Sequence, residues 1–311
     1  MSGRADRGGS GGHGGAGQSP QRCGQHRHPG PGPLPAGQPA GGGCAGGAAG
    51  RREPAVKKLR FPGRGKEPQP PQDGANLPRV ITFWSPKAAG KTVLAAALTV
   101  ALAGTGRRVA CADLDLLTPD LPSGGYGLDQ VSEDVLRGDF HAAKTALALP
   151  RLKPAGVYLL AGPSHPLRAE TLGRTEFVSL VTAFAEAYDA VVLDTSRFLS
   201  LEATLAALDA ADLVVMPVAA VENQVRHLGR YLPILERDLG LGRDKVRLVI
   251  NHLTGRQVLP PTAIEQALGR PVAGEVPHRR EWAGWGGEEL PPVSGLENAL
   301  LGLVSLTGKG E

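Results

Sequence analysis

A succession of short, continuous apolar runs governs what this chain can fold into. Arg79–Trp84 (RVITFW), Arg108–Leu114 (RVACADL), Val157–Leu160, Ala190–Leu193, Leu213–Pro217, Val246–Ile250 and Val272–Val276 alternate with stretches of helical character. Those stretches are Thr92–Gly104, Glu176–Tyr188, Leu201–Ala211, Asn223–Leu239, Pro261–Leu268 and Ser294–Leu306. Runs that are apolar throughout, rather than at every second residue, belong to strands covered on both faces, and the interleaved helices supply the covers. The expected fold is α/β, a doubly wound, mostly parallel sheet flanked by helices. Such sheets bind ligands beyond the carboxyl ends of their strands. Three runs here end in polar residues: at the Ser85 loop, at Asp113 and Asp115, and at Asp194.

The loop after the first run reads Ser85-Pro86-Lys87-Ala88-Ala89-Gly90-Lys91-Thr92 and continues into Val93. Its last three residues satisfy the G-K-[ST] end of a phosphate-binding loop, with a strand before and a helix after. Backbone N–H groups at a helix N-terminus point at phosphates, and the helix dipole adds favourable potential. Gly90 allows close backbone approach, Lys91 reaches the β/γ-phosphates, and the Thr92 hydroxyl can ligate Mg²⁺. ATP and Mg²⁺ are therefore the expected ligands. The loop is irregular: Ser85, Ala88 and Ala89 stand where glycine is common, and alanine is costly wherever φ is positive. Pro86 brings no N–H donor.

Asp194 closes the run in YDAVVLDTS and fits an acid that holds Mg²⁺ through water; the alternative is an Asp capping the next helix. Asp113 and Asp115 lie on one face by alternation, where they could ligate Mg²⁺ through water or orient an attacking water. The alternative is a loop-entry pair. Asn251 follows the VRLVI run; its amide could read an adenine edge, or it could simply form a turn.

Composition divides the chain. The first fifty residues hold 18 glycines, Asp6 as their only acid and no aromatic residue, which cannot offset the entropy of folding. Residues 1–77 are expected to be a disordered Gly/Pro-rich tail and basic linker, and residues 78–311 a P-loop nucleotide-binding domain. The linker carries Arg51, Arg52, Lys57, Lys58, Arg60, Arg64 and Lys66 against Glu53 and Glu67. It reads either as an arm for polyanions or as a solvated spacer. Cys23, Cys44 and Cys111 show no ligand spacing, which suits a cytoplasmic protein. The tail histidines His13, His26 and His28 are not expected to form a metal site. No apolar run reaches eighteen residues, so no membrane span is expected.

These residues together resemble the MinD/ParA family of deviant Walker A ATPases, and within it the CpaE/TadZ-like branch linked to pilus assembly. WSPKAAGKT, VACADLDLLTPDL, YDAVVLDTS, ADLVVMPV, VRLVINH and RPVAGEVPHRR carry the resemblance, in that order. It implies an ATP-dependent homodimer that acts in spatial positioning of pili, chromosomes, plasmids or division sites. By position it implies that Lys91 binds phosphate, Thr92 ligates Mg²⁺, Asp115 positions water and also serves the metal, and Asp194 is the Walker B acid. Asn251 and the segment near Pro277 would contact the base. The family loop reads K-G-G-x-G-K-T, and its first lysine reaches the partner's nucleotide. Counted back from Gly90, that place holds Pro86, and Lys87 comes one residue late.

Three readings follow. The chain is an ATPase switch, with Lys87, Lys91 and Asp115 catalytic; or a nucleotide-binding scaffold or regulator with little hydrolysis and an unidentified protein partner; or a protein that also contacts DNA phosphates without sequence preference, through Arg226, Arg230, Arg237, Arg279 and Arg280. Leu296, Leu300, Leu303 and Val304 form an apolar stripe with no Lys or Arg between Ser294 and Leu306. That stripe is expected to pack into the core rather than onto a membrane.

Overall fold

In the computed structural model, described over residues 77–154, 156–254 and 259–305, the run VITF becomes strand β1 (Val80–Phe83), followed by helix α1 (Lys91–Gly104) and strand β2 (Val109–Leu114). Helices α2 (Leu128–Arg137) and α3 (Ala142–Ala148) lead to a hairpin of β3 (Arg151–Leu152) and β4 (Val157–Leu160). Then come α4 (Arg174–Ala187), β5 (Ala190–Thr195), α5 (Glu202–Ala210), β6 (Leu213–Val218) and α6 (Glu222–Pro233). The chain continues through β7 (Val246–Asn251), α7 (Pro261–Leu268), β8 (Val272–Val276) and α8 (Glu297–Val304). The Gly/Pro-rich tail, the basic linker, Cys23, Cys44 and the tail histidines lie outside the described residues.

Among the described residues these strands form one sheet in the order β3-β4-β2-β5-β1-β6-β7-β8. Every pairing is parallel except β3 with β4. The expected mostly parallel, helix-flanked sheet is thus what forms. The chain leaves β1 toward β2 on one side and later builds β6, β7 and β8 on the other. That reversal puts the loop after β1 at the place where doubly wound sheets bind ligands.

The alternation of β1 shows how the layers are made. Ile81 and Phe83 are fully buried with Leu94, Leu98 and Leu102 of α1 and with Leu300, Leu303 and Val304 of α8. Val80 packs on the opposite face with the α4 and α5 residues Phe177, Phe184 and Ala203. Each such buried Leu, Ile or Phe contributes about 1.5–3 kcal/mol. The small side chains Ala95, Ala96 and Ala97 are wholly buried and let α1 lie close to the strands. The C-terminal apolar stripe is core, as expected, although its helix begins at Glu297 rather than Ser294.

Two sequence expectations are corrected. Asn223–Leu239 is not one helix: α6 ends at Pro233, and Ile234–Asp238 widens into a π turn closed by the Leu239 N–H on the Ile234 carbonyl at 3.1 Å. Proline lacks the N–H that would continue the ladder. The region between β2 and β4, read without elements, holds α2 and α3.

Candidate functional site

The site begins where β1 stops. Ser85 is buried, Pro86 and Lys87 are half-buried, Ala88 is exposed and Ala89 has no exposed surface. Gly90 then turns the chain into α1 at φ 73°, ψ 35°. A Cβ at this residue would lie 2.5 Å from Asn251 Nδ2 and 3.0 Å from Leu253 Cδ2, so both the conformation and the space demand glycine. No side chain caps α1, and its first turn carries no acid. Its leading N–H groups and its dipole are therefore available to an anion. Lys91, Thr92 and Val93 form that first turn, each half-buried.

The loop is held from outside by two amides that come from distant elements. Asn251, at the end of β7, donates to the Ala89 carbonyl at 2.9 Å. Gln224, in the first turn of α6, donates through Nε2 to the Ala88 carbonyl at 2.9 Å and accepts the Ala219 N–H through Oε1 at 3.2 Å. Nothing local in the sequence marks Gln224, which stands 136 positions from its partner.

Asp194 pairs in register with Phe83, the last residue of β1, and with Asp113 of β2. Both of its carboxylate oxygens are buried without a hydrogen-bond partner among the described residues. Burial, opposed by the Lys91 charge and the Thr92 hydroxyl and aided by Asp115 and Asp120, pushes its carboxyl up to about 7. Lys91, Thr92, Asp115 and Asp120 are thereby gathered around one buried carboxylate.

Asp113 and Asp115 organise the loop that follows β2. Asp113 accepts the N–H of Asp115 and that of Leu121, both at 3.0 Å. Burial and the neighbouring Asp194 raise its carboxyl well above the usual range. Asp115 accepts the Leu117 and Thr118 N–H groups at 3.2 Å each, and the Thr118 hydroxyl at 3.1 Å. Both acids thus serve the loop's own backbone, and Asp115 in addition lies near enough to Asp194 to act on it.

The remaining sequence-singled residues spread around this centre. Lys87 lies near enough to His227 of α6 to act on it: desolvation, then the charges of Lys87, Arg230 and Arg226, hold the His227 imidazole below its ordinary range. Arg226, Arg230 and Arg237 are exposed. Arg279 donates to the Ser294 carbonyl at 3.0 Å, and Arg280 is exposed. Pro277, also exposed, follows Val276, the register partner of Asn251. Next to Asn251, His252 meets Glu275 at 2.7 Å.

Arranged this way, the loop can hold phosphates, and the buried acid beside Lys91 and Thr92 suits a divalent cation. Residues 88–293 match the model of the CobQ/CobB/MinD/ParA nucleotide binding domain. An uncharacterized ATP-binding protein of Methanocaldococcus jannaschii is 29% identical in a 206-residue alignment that covers 63% of this chain and 74% of that protein. A ParA family ATPase from Chlorobium tepidum superposes with a TM-score of 0.60 at 19% identity, covering 72% of this chain and 97% of that one. The septum site-determining protein MinD from Pyrococcus horikoshii, complexed with Mg-ADP, superposes with a TM-score of 0.60 at 21% identity, over 73% and 94%. The two solved structures share the fold. The matched stretch runs from Ala88 in the phosphate loop to Val293, four residues before α8, and takes in Gly90–Val93, Asp113, Asp115, Asp194, Gln224 and Asn251: the chain belongs to the CobQ/CobB/MinD/ParA nucleotide-binding domain family.

Proposed function

We propose that this chain binds ATP with Mg²⁺ and works as an ATPase switch of MinD/ParA type in spatial positioning. Asp194 carries the proposal. A buried carboxylate with two unpartnered oxygens is costly to keep, and a cation beside Lys91 and Thr92 would make use of it. The uncapped α1 N-terminus and the glycine-only turn at Gly90 fit the phosphates that would accompany such a cation.

In this reading the amides of Ala89, Gly90, Lys91 and Thr92 bind phosphate oxygens, and the Lys91 ammonium adds charge. The Thr92 hydroxyl and Asp194 hold Mg²⁺, with Asp115 near enough to join them. When bound, the cation supplies neutralisation of the β- and γ-phosphate charge. Asp115 orients the attacking water once its carboxylate is released from Leu117 and Thr118. Asn251 and Pro277 border the place for the base. Leu117, Phe198 and Leu253 are exposed apolar residues on loops at the same ends of the strands. They support a homodimer that closes over the nucleotide. Motif order and spelling support the CpaE/TadZ-like branch, with a pilus, chromosome, plasmid or division site as the object positioned.

A second reading has its own observation. Lys87 acts on His227 of α6 and stands one residue late for a lysine that reaches across a dimer. A chain so built would bind nucleotide and hydrolyse it little, serving as a scaffold or regulator.

Mg·ATP binding by calorimetry and phosphate release, each measured on the full chain beside Lys91→Ala, test these readings. Binding and turnover that both fall in the variant support the switch. Binding without turnover above the variant supports the scaffold. Wild-type binding no better than the variant's overturns both.

A further inference from the structure

We propose that Gln224 is a positioning residue that aims the phosphate-binding amides of this loop, a role that rests on the nucleotide-binding reading above. Its amide has two ends with two duties. Oε1 accepts the Ala219 N–H at 3.2 Å, and an N–H can meet only an acceptor, so Nε2 must face the Ala88 carbonyl, 2.9 Å away.

A trans peptide points the C=O of one residue and the N–H of the next in opposite directions. Holding the Ala88 carbonyl toward α6 therefore turns the Ala89 N–H away from α6, toward the space in front of α1. Asn251 does the same for the Gly90 N–H by holding the Ala89 carbonyl. Glycine-rich loops settle into such peptide orientations through their own conformational freedom. Here Ala88 and Ala89 occupy two of those positions, and the orientation is imposed from outside. Gln224 also ties the loop to Ala219 at the end of β6, so the loop's attitude follows the β6–α6 connection. That connection carries the helix beside Lys87.

The test uses the full chain, with Mg·ATP affinity measured by calorimetry and inorganic pyrophosphate as a competitor. Gln224→Glu keeps the shape and the acceptor for Ala219 but sets an oxygen against the Ala88 carbonyl. Gln224→Met removes both bonds without adding charge. Salt of about 0.5 M screens the charge that Glu introduces. Both variants should bind Mg·ATP and pyrophosphate about tenfold more weakly than wild type, with the melting temperature moved by no more than about 3 °C. Wild-type affinity in Gln224→Glu would show that the Ala219 anchor is the whole role and would overturn the proposal. Wild-type affinity in Gln224→Met would overturn it too. Failure of the wild-type chain to bind Mg·ATP would instead remove the nucleotide reading and this inference with it.

Discussion

Asn251, the last residue of β7, donates its side-chain amide to the carbonyl of Ala89 at 2.9 Å, across 162 positions of sequence. The same nitrogen lies 2.5 Å from where a Cβ on Gly90 would stand. Strand end and loop are therefore fitted to each other with no slack. Asn251→Ala would leave the buried Ala89 carbonyl without its partner, a cost of about 1–3 kcal/mol. At roughly 2–4 °C per kcal/mol for a domain of this size, calorimetry should record a melting temperature several degrees lower. Gly90→Ala should be worse, since it meets both the 73° φ and the contact; Mg·ATP affinity measured by titration should fall more than tenfold.

Asp194 makes the opposite prediction. Its carboxyl is buried, pushed up to about 7 and unpartnered on both oxygens. Asp194→Asn removes the charge and keeps the shape. In metal-free, nucleotide-free buffer at pH 8 the variant should melt higher than wild type by about 2–6 °C, because a buried charge that Lys91 and Thr92 offset only in part is lost. The same variant should lose the additional stabilisation that Mg·ATP gives the wild-type chain. Thermal melts with and without ligand check both halves.

The contrast between Asp194 and Gln224 shows what a sequence displays. Asp194 sits after four apolar residues, near the carboxyl end of a strand, and that place alone assigns it to the edge of the sheet where such folds bind ligands. Gly90-Lys91-Thr92 is legible for the same reason, since its neighbours on both sides declare strand and helix. Gln224 carries no such mark. It is one polar residue on an amphipathic helix, and its partner Ala88 is remote in sequence. Asp113 was legible in position but not in role: its two oxygens are taken by the amides of Asp115 and Leu121, and backbone acceptors leave no trace in residue identity. Helix α2 begins at a glycine, with Gln130 capping the Gly127 N–H at 2.8 Å, so the usual Ser, Thr, Asp or Asn start signal is missing. Pro233 did carry a local signal, the break that divides Asn223–Leu239.

Gly287 touches the acid-bearing loop from a segment with no catalytic appearance. Trp282 and Trp285 fasten that segment by donating to the Pro292 and Glu289 carbonyls at 2.9 and 2.7 Å. Gly287 has φ 74°, and a Cβ there would fall 1.8 Å from the Asp120 carbonyl oxygen. Gly287→Ala must push the two backbones apart, straining the Leu121 N–H bond to Asp113 next door. Urea denaturation should show a loss of about 2 kcal/mol or more. Hydrogen exchange at the Leu121 amide should quicken by more than that global loss accounts for.

Cys111 gives the fold a definite response to alkali. It lies fully buried on β2. Burial pushes its thiol up to about 12, with the Asp194 and Asp113 charges adding to the rise and a contact with Thr99 opposing it. In the unfolded chain the thiol ionises near its ordinary value of 9.0. Between those two values the unfolded state has released the proton and the folded state has kept it. The folded state then binds more protons, so stability must fall as pH rises through this window, by as much as about 1.4 kcal/mol per pH unit from this group. Below pH 9 both states are protonated and the contribution is flat. Urea titrations from pH 8 to about 10.5, in a background where Cys23 and Cys44 are serine, should show this fall, and Cys111→Ala should remove part of it. Tyr188, also pushed up to about 12 by burial, supplies a slope that remains in the Cys111→Ala variant. In the same background the native protein should resist thiol labelling at pH 8 and become reactive at the rate of unfolding. Rapid native labelling would overturn the assignment.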